Sequence, residues 1–496
     1  MTVSASQAPP IGVGTKAAYG FGAVAVGIKN AAFSAYLLLY YNQVIGVPAA
    51  IVSAAVALTL LVDAVVDPLI GRWSDRTRSR WGRRHPFVFG SALPTAFFFA
   101  LTWFPPAGMS HLQSGLWIFA VASLTRISIS MFEIPASAMN PELTSDYNER
   151  TRLFSLRYMF GYLGNFGFTA FSLAFFFVAT ADYPQGQLNP AGYTRFAIAG
   201  ALIILIAILT FGFGTANRIP HMRQVDGDSG KMSLSAHVSE MFEAFRHRAF
   251  LAVFGFGVFK YSAIGLYSAV TLYIGTYVFK LTSPQLALLT FDSLIAAVIA
   301  APLAPMVSRR MGKRNTSIIM ALGGVSLGTS SLVLTYFGLF FPPGHPALVP
   351  TLFVIGAVYG SMVAISLINT SSMIADIVED HAVKTGKHTA GVFFSAHSFM
   401  QQASAAMGIF SAGMVLEWSG FPHKVDPAQV THAMTQSLLA HYVPTSLALW
   451  TIGGLLLLFY PITEAMHREN VARLRALEAE ALEQIERDGT FGAPVR

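Results

Sequence analysis

The chain has 496 residues, 54% hydrophobic and 11% charged, with no cysteine and a formal net charge of +7. Soluble domains carry about 25% charged residues, so an ordinary soluble fold is excluded. The lack of cysteine excludes a disulfide framework and thiolate metal ligands.

Taken in chain order, residues 1–15 show no charged start, apolar middle and small-residue cleavage site, so no signal peptide is expected. Apolar runs then predict helices near 17–45, 48–71, 86–104, 113–138, 153–180 and 194–216. Six more are predicted near 249–279, 285–307, 315–341, 348–376, 391–417 and 435–461. Such runs are long enough to cross about 30 Å of hydrocarbon. Turn chemistry separates them, as at Pro105-Pro106 and Pro342-Pro343-Gly344. Trp103, Trp117 and Trp418 fall where membrane surfaces are expected. The fold class that follows is an all-α membrane protein with twelve transmembrane helices.

Orientation follows from the basic residues. With the amino terminus in the cytoplasm, 25 of the 32 Lys and Arg fall in cytoplasmic segments, and only Arg195, Lys280 and Lys424 outside. The positive-inside rule therefore places both termini in the cytoplasm, most simply of a bacterial inner membrane. The same distribution makes the basic charge a topology signal and argues against nucleic acid as a partner. The expected partners are the lipid bilayer and a small-molecule solute, with the chain acting as a monomer.

The longest polar stretch between spans divides the chain into an amino-terminal six-helix bundle (1–216), a cytoplasmic linker (217–248), a carboxy-terminal six-helix bundle (249–461) and a cytoplasmic helical tail (462–496). Basic, glycine-containing loops follow both the second helix (Gly71 to Arg84) and the eighth (Arg309 to Arg314), as duplication of a six-helix unit would leave them. In the tail, Leu474, Leu477, Ala481 and Ile485 form an apolar stripe flanked by Arg473, Arg475, Glu478 and Glu483, expected of a solvated or surface-lying helix.

Eight ionisable residues lie inside the predicted spans: Lys29, Asp63, Asp67, Arg126, Glu133, Arg157, Lys260 and Asp292. Each costs about 2.5–3.5 kcal/mol at the bilayer centre, roughly 20–28 kcal/mol together before pairing or water relieves it. Helix packing alone does not call for them. Four acids and four bases balance, which points to pairing around a wet cavity. Asp63 and Asp67, at i and i+4, share a helix face, and Pro68 leaves the carbonyl of Ala64 without its helical donor. Such oxygens suit Na⁺ or a shared proton; the competing reading is a purely structural pairing with Arg126, Lys29 or Arg157. Glu133, Arg126, Lys29 and Asn30 are candidates for solute binding, and Lys260 is a further one.

Gly324 to Gly328 spells G-x-S-x-G, but inside an apolar helix, where the glycines serve close helix packing instead. The sequence holds no H-E-x-x-H or P-loop motif, so no enzyme and no nucleotide-driven pump is expected.

Several motifs then occur in order. Tyr19, Gly20, Phe21 and Gly22 open the first helix; Tyr40, Tyr41, Val44, Ile45 and Gly46 close it. Asp63 through Pro68, Gly71 and Arg78 through Gly82 follow, then Glu133-Ile134-Pro135, Glu149-Arg150, Arg157 and Ala375 through Val378. In this combination the chain resembles the glycoside-pentoside-hexuronide:cation symporter family, a branch of the major facilitator superfamily. The resemblance implies two pseudo-symmetric six-helix bundles that rock about a central cavity. It also implies cation-binding carboxylates at Asp63 and Asp67, a solute-binding acid at Glu133, and a matching fifth-helix arginine at Arg157. The family's first-helix sugar-binding acid falls on Gly27, its eleventh-helix lysine on Gln402, and a small residue on Arg126. Arg157 and Gln402 thereby join the candidate solute-binding residues.

The expected function is symport of a sugar, glycoside or sugar acid with H⁺ or Na⁺ by alternating access, with no cofactor beyond that ion. Lys29 and Arg126 suit a solute carboxylate. A carrier of a lysolipid or other amphiphile is the alternative in the same fold, and a membrane enzyme is the less favoured one.

Overall fold

The computed structural model describes residues 10–144, 146–222, 245, 247–385 and 390–487. Among these there is no strand, and each expected apolar segment is helical. We number the long helices α1 (Val13–Ile45), α2 (Ala49–Arg76), α3 (His85–Leu101), α4 (His111–Ala138), α5 (Tyr147–Tyr162, continued by Phe168–Phe175) and α6 (Pro190–Thr215). In the second half follow α7 (Arg248–Val278), α8 (Ser283–Met311), α9 (Lys313–Tyr336), α10 (Leu348–Thr385), α11 (Ala390–Trp418), α12 (His432–Leu457) and the tail helix α13 (Glu464–Arg487). Among the described residues nine of these are long and apolar enough to span a bilayer, namely α1, α2, α4 and α6 to α11. Helix α3 is apolar but shorter, α5 opens on Glu149, Arg150 and Arg152, and α12 carries His432, Gln436 and His441.

Outward faces show why these helices belong in lipid. On α6, Gly200, Ile204, Ala207 and Phe211 are buried, while Ile198, Leu202, Ile206 and Phe213 on the other side are exposed and equally apolar. A helix apolar all round is stable only where its solvent is hydrocarbon. Trp418 is exposed at the end of α11, but Trp103 turns inward: it is 2% exposed, with its ring 5.7 Å from that of Tyr193.

Two pairs of helices pack by the same device. A Cβ at Gly27 would come within 2.3 Å of the Gly161 carbonyl oxygen, and one at Gly164 within 2.5 Å of that of Val24, so α1 and α5 meet backbone to backbone. In α7 and α11, a Cβ at Gly265 would lie 2.6 Å from the Ala405 oxygen and one at Gly408 2.1 Å from that of Ser262. The contact residues are three apart on every helix, so this contact of the first half recurs in the second. Gly324 and Gly328 likewise let α9 close on Met362 and Tyr359 of α10.

Side-chain hydrogen bonds between the halves gather at the end of the molecule away from the chain termini. Tyr273 donates to the Leu38 carbonyl (3.2 Å) and to Asn42 Oδ1 (2.9 Å), and Tyr277 donates to Gln43 Oε1 (2.8 Å). Gln43 donates to the Pro422 carbonyl (3.0 Å), and Gln187 bridges Thr276 (3.0 Å) and Ser283 (2.7 Å). At the terminal end each half carries ion pairs of its own. Arg84 binds Asp75 (2.6 Å) and Glu142 (3.0 Å), and Lys313 binds Asp376 (2.7 Å). Helix α13 docks on α10 rather than lying free: Asn470 donates to Asp380 (3.1 Å), which also meets His247 (2.9 Å). Most of the linker expected at 217–248, and the side chains of Arg475, Glu478, Ala481, Glu483 and Ile485 of the tail stripe, lie outside the described residues.

Candidate solute and cation site

Helix α2 runs unbroken through Pro68, which places Asp63 and Asp67 one turn apart on its inner face. Asp63 is 6% exposed and accepts a hydrogen bond on Oδ2 from Arg126 Nη1 of α4 at 2.5 Å. Arg126 is itself 6% exposed and stands 5.4 Å from the Phe33 ring centre of α1. Of the two readings of Asp63, ion pairing and cation binding, the first is thus realised on one carboxylate oxygen. The second oxygen, Oδ1, is buried without a hydrogen-bond partner, and so is Oδ1 of Asp67. Ser130 of α4, one turn beyond Arg126, lies beside Asp67.

Lys29 reaches the same place from α1. It is 8% exposed, and its charged neighbours are Arg126, Glu133, Asp63 and Asp67. Five of the eight intramembrane ionisable residues therefore form one cluster between α1, α2 and α4. Its three carboxylates outnumber its two bases by one. Neither Lys29 nor Arg126 points into lipid.

Other predicted residues lie at the margin or apart. Arg157 of α5 donates to the Glu133 backbone carbonyl (3.4 Å) and stands over the Tyr19 ring at 6.0 Å, so it meets the edge of the cluster rather than its carboxylates. Asn30 is exposed one residue beyond Lys29, and Gln402 is half-buried on α11. Lys260 on α7 is fully buried, with Nζ 4.8 Å from the ring centres of both Phe256 and Tyr261 and no hydrogen bond. Its neighbour on α11 is His397, which meets Tyr261 Oη at 3.4 Å. Asp292 lines a separate cavity. Phe33, Ser130 and His397 were not singled out from sequence. Ser130 was readable, being one turn from Arg126 on a shared face; Phe33 and His397 resemble dozens of other positions until helices are rotated into place.

A largely buried charge cluster between lipid-facing helices, set beside a seam that among the described residues is hydrogen-bonded at one end, belongs to a membrane transporter of the major-facilitator type. Residues 18–464 match the family model described as MFS/sugar transport protein, and the chain belongs to that family. It is 29% identical to an uncharacterized symporter of Synechocystis, over 93% of this chain and 96% of the relative. It is 25% identical to the glucuronide carrier protein homolog of Escherichia coli, over 92% and 94% respectively. The fold is similar to the inward-open xylose transporter XylE from E. coli, with a TM-score of 0.56, 14% identity and coverage of 92% of this chain and 98% of that one. The family is one of transporters, not enzymes.

Proposed function

We propose that this protein couples entry of one monovalent cation, Na⁺ or H⁺, to uptake of a sugar, glycoside or sugar acid by alternating access. The observation that carries the proposal is the cluster's unbalanced carboxylate together with the two orphaned oxygens of Asp63 and Asp67. An unpaired charge sealed from water is costly. One bound cation or one proton neutralises the cluster and lowers the cost of closing the cavity. An empty cluster resists closure, and this asymmetry ties the ion to the rocking motion. Arg126 holds Asp63 in place, while Lys29 and Glu133 offer a donor and an acceptor to the solute.

In this reading both termini are cytoplasmic, the membrane is the bacterial inner membrane, and the bonded end faces outward, so the protein stands inward-open. The moving bodies are residues 1–216 and 249–461. The names of the two relatives, a symporter and a glucuronide carrier homolog, accord with it. The deciding experiment is uptake into proteoliposomes under imposed Na⁺ or proton gradients, across sugars, glycosides and sugar acids, with a lysolipid in parallel. Gradient-dependent accumulation of a sugar-class solute is expected. Accumulation of the lysolipid alone would replace the solute class, and accumulation of nothing under either gradient would defeat the coupling.

A further inference from the structure

Away from the charged cluster, a cavity of about 340 Å³ opens among α7, α8, α9, α10 and α12, closed on the other side by α1 and α5. Its volume is in the range of small-molecule sites, about 300–1,000 Å³. Tyr267, Thr271, Asp292, Ser293, Tyr359 and Tyr442 supply polar groups to its wall, with Asn165 from α5 and Ser34 from α1 facing them. Asp292 is the single carboxylate of the lining, and no Lys, Arg or His is among the described lining residues.

Asp292 is held in a defined position. Its Oδ1 accepts from Ser293 Oγ at 2.8 Å. Its Oδ2 occupies the space that a side chain on Gly356 would need, since a Cβ there would come within 2.0 Å. Tyr267 and Tyr359, both electrostatic neighbours of Asp292, set their ring centres 5.5 Å apart at 57°. An anchored carboxylate, several hydroxyls and tilted aromatic faces suit a ring with hydroxyls at its edge and C–H groups on its faces. A lone cation would leave most of this volume empty. A lipid tail would leave the Asp292 carboxylate facing apolar groups, with Ser293 its one side-chain donor among the described residues, at a cost. An acidic sugar ring would meet Asp292 with no base to offset it.

Resting on the sugar-transport reading above, we infer that this cavity binds a neutral, hydroxylated sugar ring, with Asp292 accepting hydrogen bonds from its hydroxyls. Ser34 is five residues from Lys29 on α1, about 7.5 Å of helix rise. The charged cluster thus lies further along α1 from this cavity, outside its lining. A solute carboxylate, if present, belongs at that end and not beside Asp292.

The test is equilibrium binding of methyl glucoside, methyl galactoside, methyl xyloside and glucuronate to purified protein in nanodiscs, at varied Na⁺ and pH. Asp292→Asn and Gly356→Ala, which displaces the carboxylate, are compared with wild type, and Tyr359→Phe serves if either misfolds. Both substitutions should weaken neutral glycosides roughly 10- to 100-fold, as for loss of a hydrogen bond to a charged group, and leave the ion dependence unchanged. Tyr359→Phe should weaken them about 2- to 10-fold, as for a neutral hydrogen bond. Unchanged glycoside affinity in the folded variants overturns the inference, as does a shifted ion dependence with affinity intact, which would make Asp292 a coupling group. Failure of the wild type to bind any of the three glycosides overturns it too. Normal gradient-driven uptake by Asp292→Asn would sink this inference alone, whereas absence of gradient-driven uptake in wild type would sink the transport reading.

Discussion

Asp63 and Asp67 sit one turn apart, yet only Asp63 has a guanidinium on one of its oxygens. That difference separates their expected mutant behaviour. Removing one partner of a buried ion pair leaves the other unpaired, so Arg126→Ala should destabilise the protein by about 3–5 kcal/mol, and adding Asp63→Asn should recover part of the loss. Thermal unfolding of the single and double variants measures this; additive losses would mean the pair is not coupled. Asp67, free of that pair, is the better probe of ion coupling. Asp67→Asn should abolish gradient-driven accumulation while solute binding or exchange persists, and accumulation with unaltered ion dependence would remove Asp67 from the coupling site. That these residues matter was legible because a charge inside a bilayer needs a reason. Which base meets which acid was not: Lys29, Arg126 and Arg157 are equivalent candidates until α1, α4 and α5 are rotated relative to α2.

Helix ends carry the seam and its brace. Gln43 at the end of α1 both donates to Pro422 and accepts from Tyr277 and from the Val425 backbone N–H, so one side chain ties three segments. Gln43→Ala should loosen the bonded end and shift the population towards the opposite opening. The chain lacks cysteine, so a single cysteine at position 281, where Leu281 is buried at this end, reports this without removing a seam side chain, with faster labelling expected in the Gln43→Ala background. At the other end, Lys16 of α1 pairs with Glu149 of α5, and the hydrogen bond from Lys16 holds the Glu149 carboxyl below its usual range. A depressed acid contributes fully above its unfolded value, near 4.3, and the contribution is lost as pH falls through the folded value. Protection factors of the amides in residues 13–21, taken against the intrinsic exchange rate at each pH, should therefore fall as pH drops below about 4, and Glu149→Gln should remove that pH dependence. Helix existence and approximate limits were legible from apolar run length. The inward turn of Trp103 was not, because an indole near a helix end serves a membrane surface and an aromatic core equally well.

For the molecule as a whole, the repeated glycine contacts of α1 with α5 and α7 with α11 support the duplicated six-helix unit that the two basic loops suggest. The expected topology has a direct check: a cysteine introduced at position 424 should label only from outside, and one at 467 only from the cytoplasm. Labelling of 424 from the cytoplasmic side alone would invert the orientation. Among the described residues the halves are hydrogen-bonded at the end away from the termini and carry separate ion pairs at the other, with the charged cluster in the first half and the cavity around Asp292 mainly in the second.

Composition, run length and the placement of Lys and Arg were enough to determine an all-helical membrane protein, and the ordered motifs its family, because the demand for apolar length and the cost of intramembrane charge act on each segment separately. The pairing of Arg126 with Asp63, the isolation of Lys260 beside His397, the cavity around Asp292 and the hydrogen-bonded seam between the halves were decided only by the tertiary structure. Each depends on the rotation and tilt of helices far apart in the chain. An apolar run fixes neither, since hydrocarbon accepts any apolar face, and small residues and buried polar contacts then select one packing.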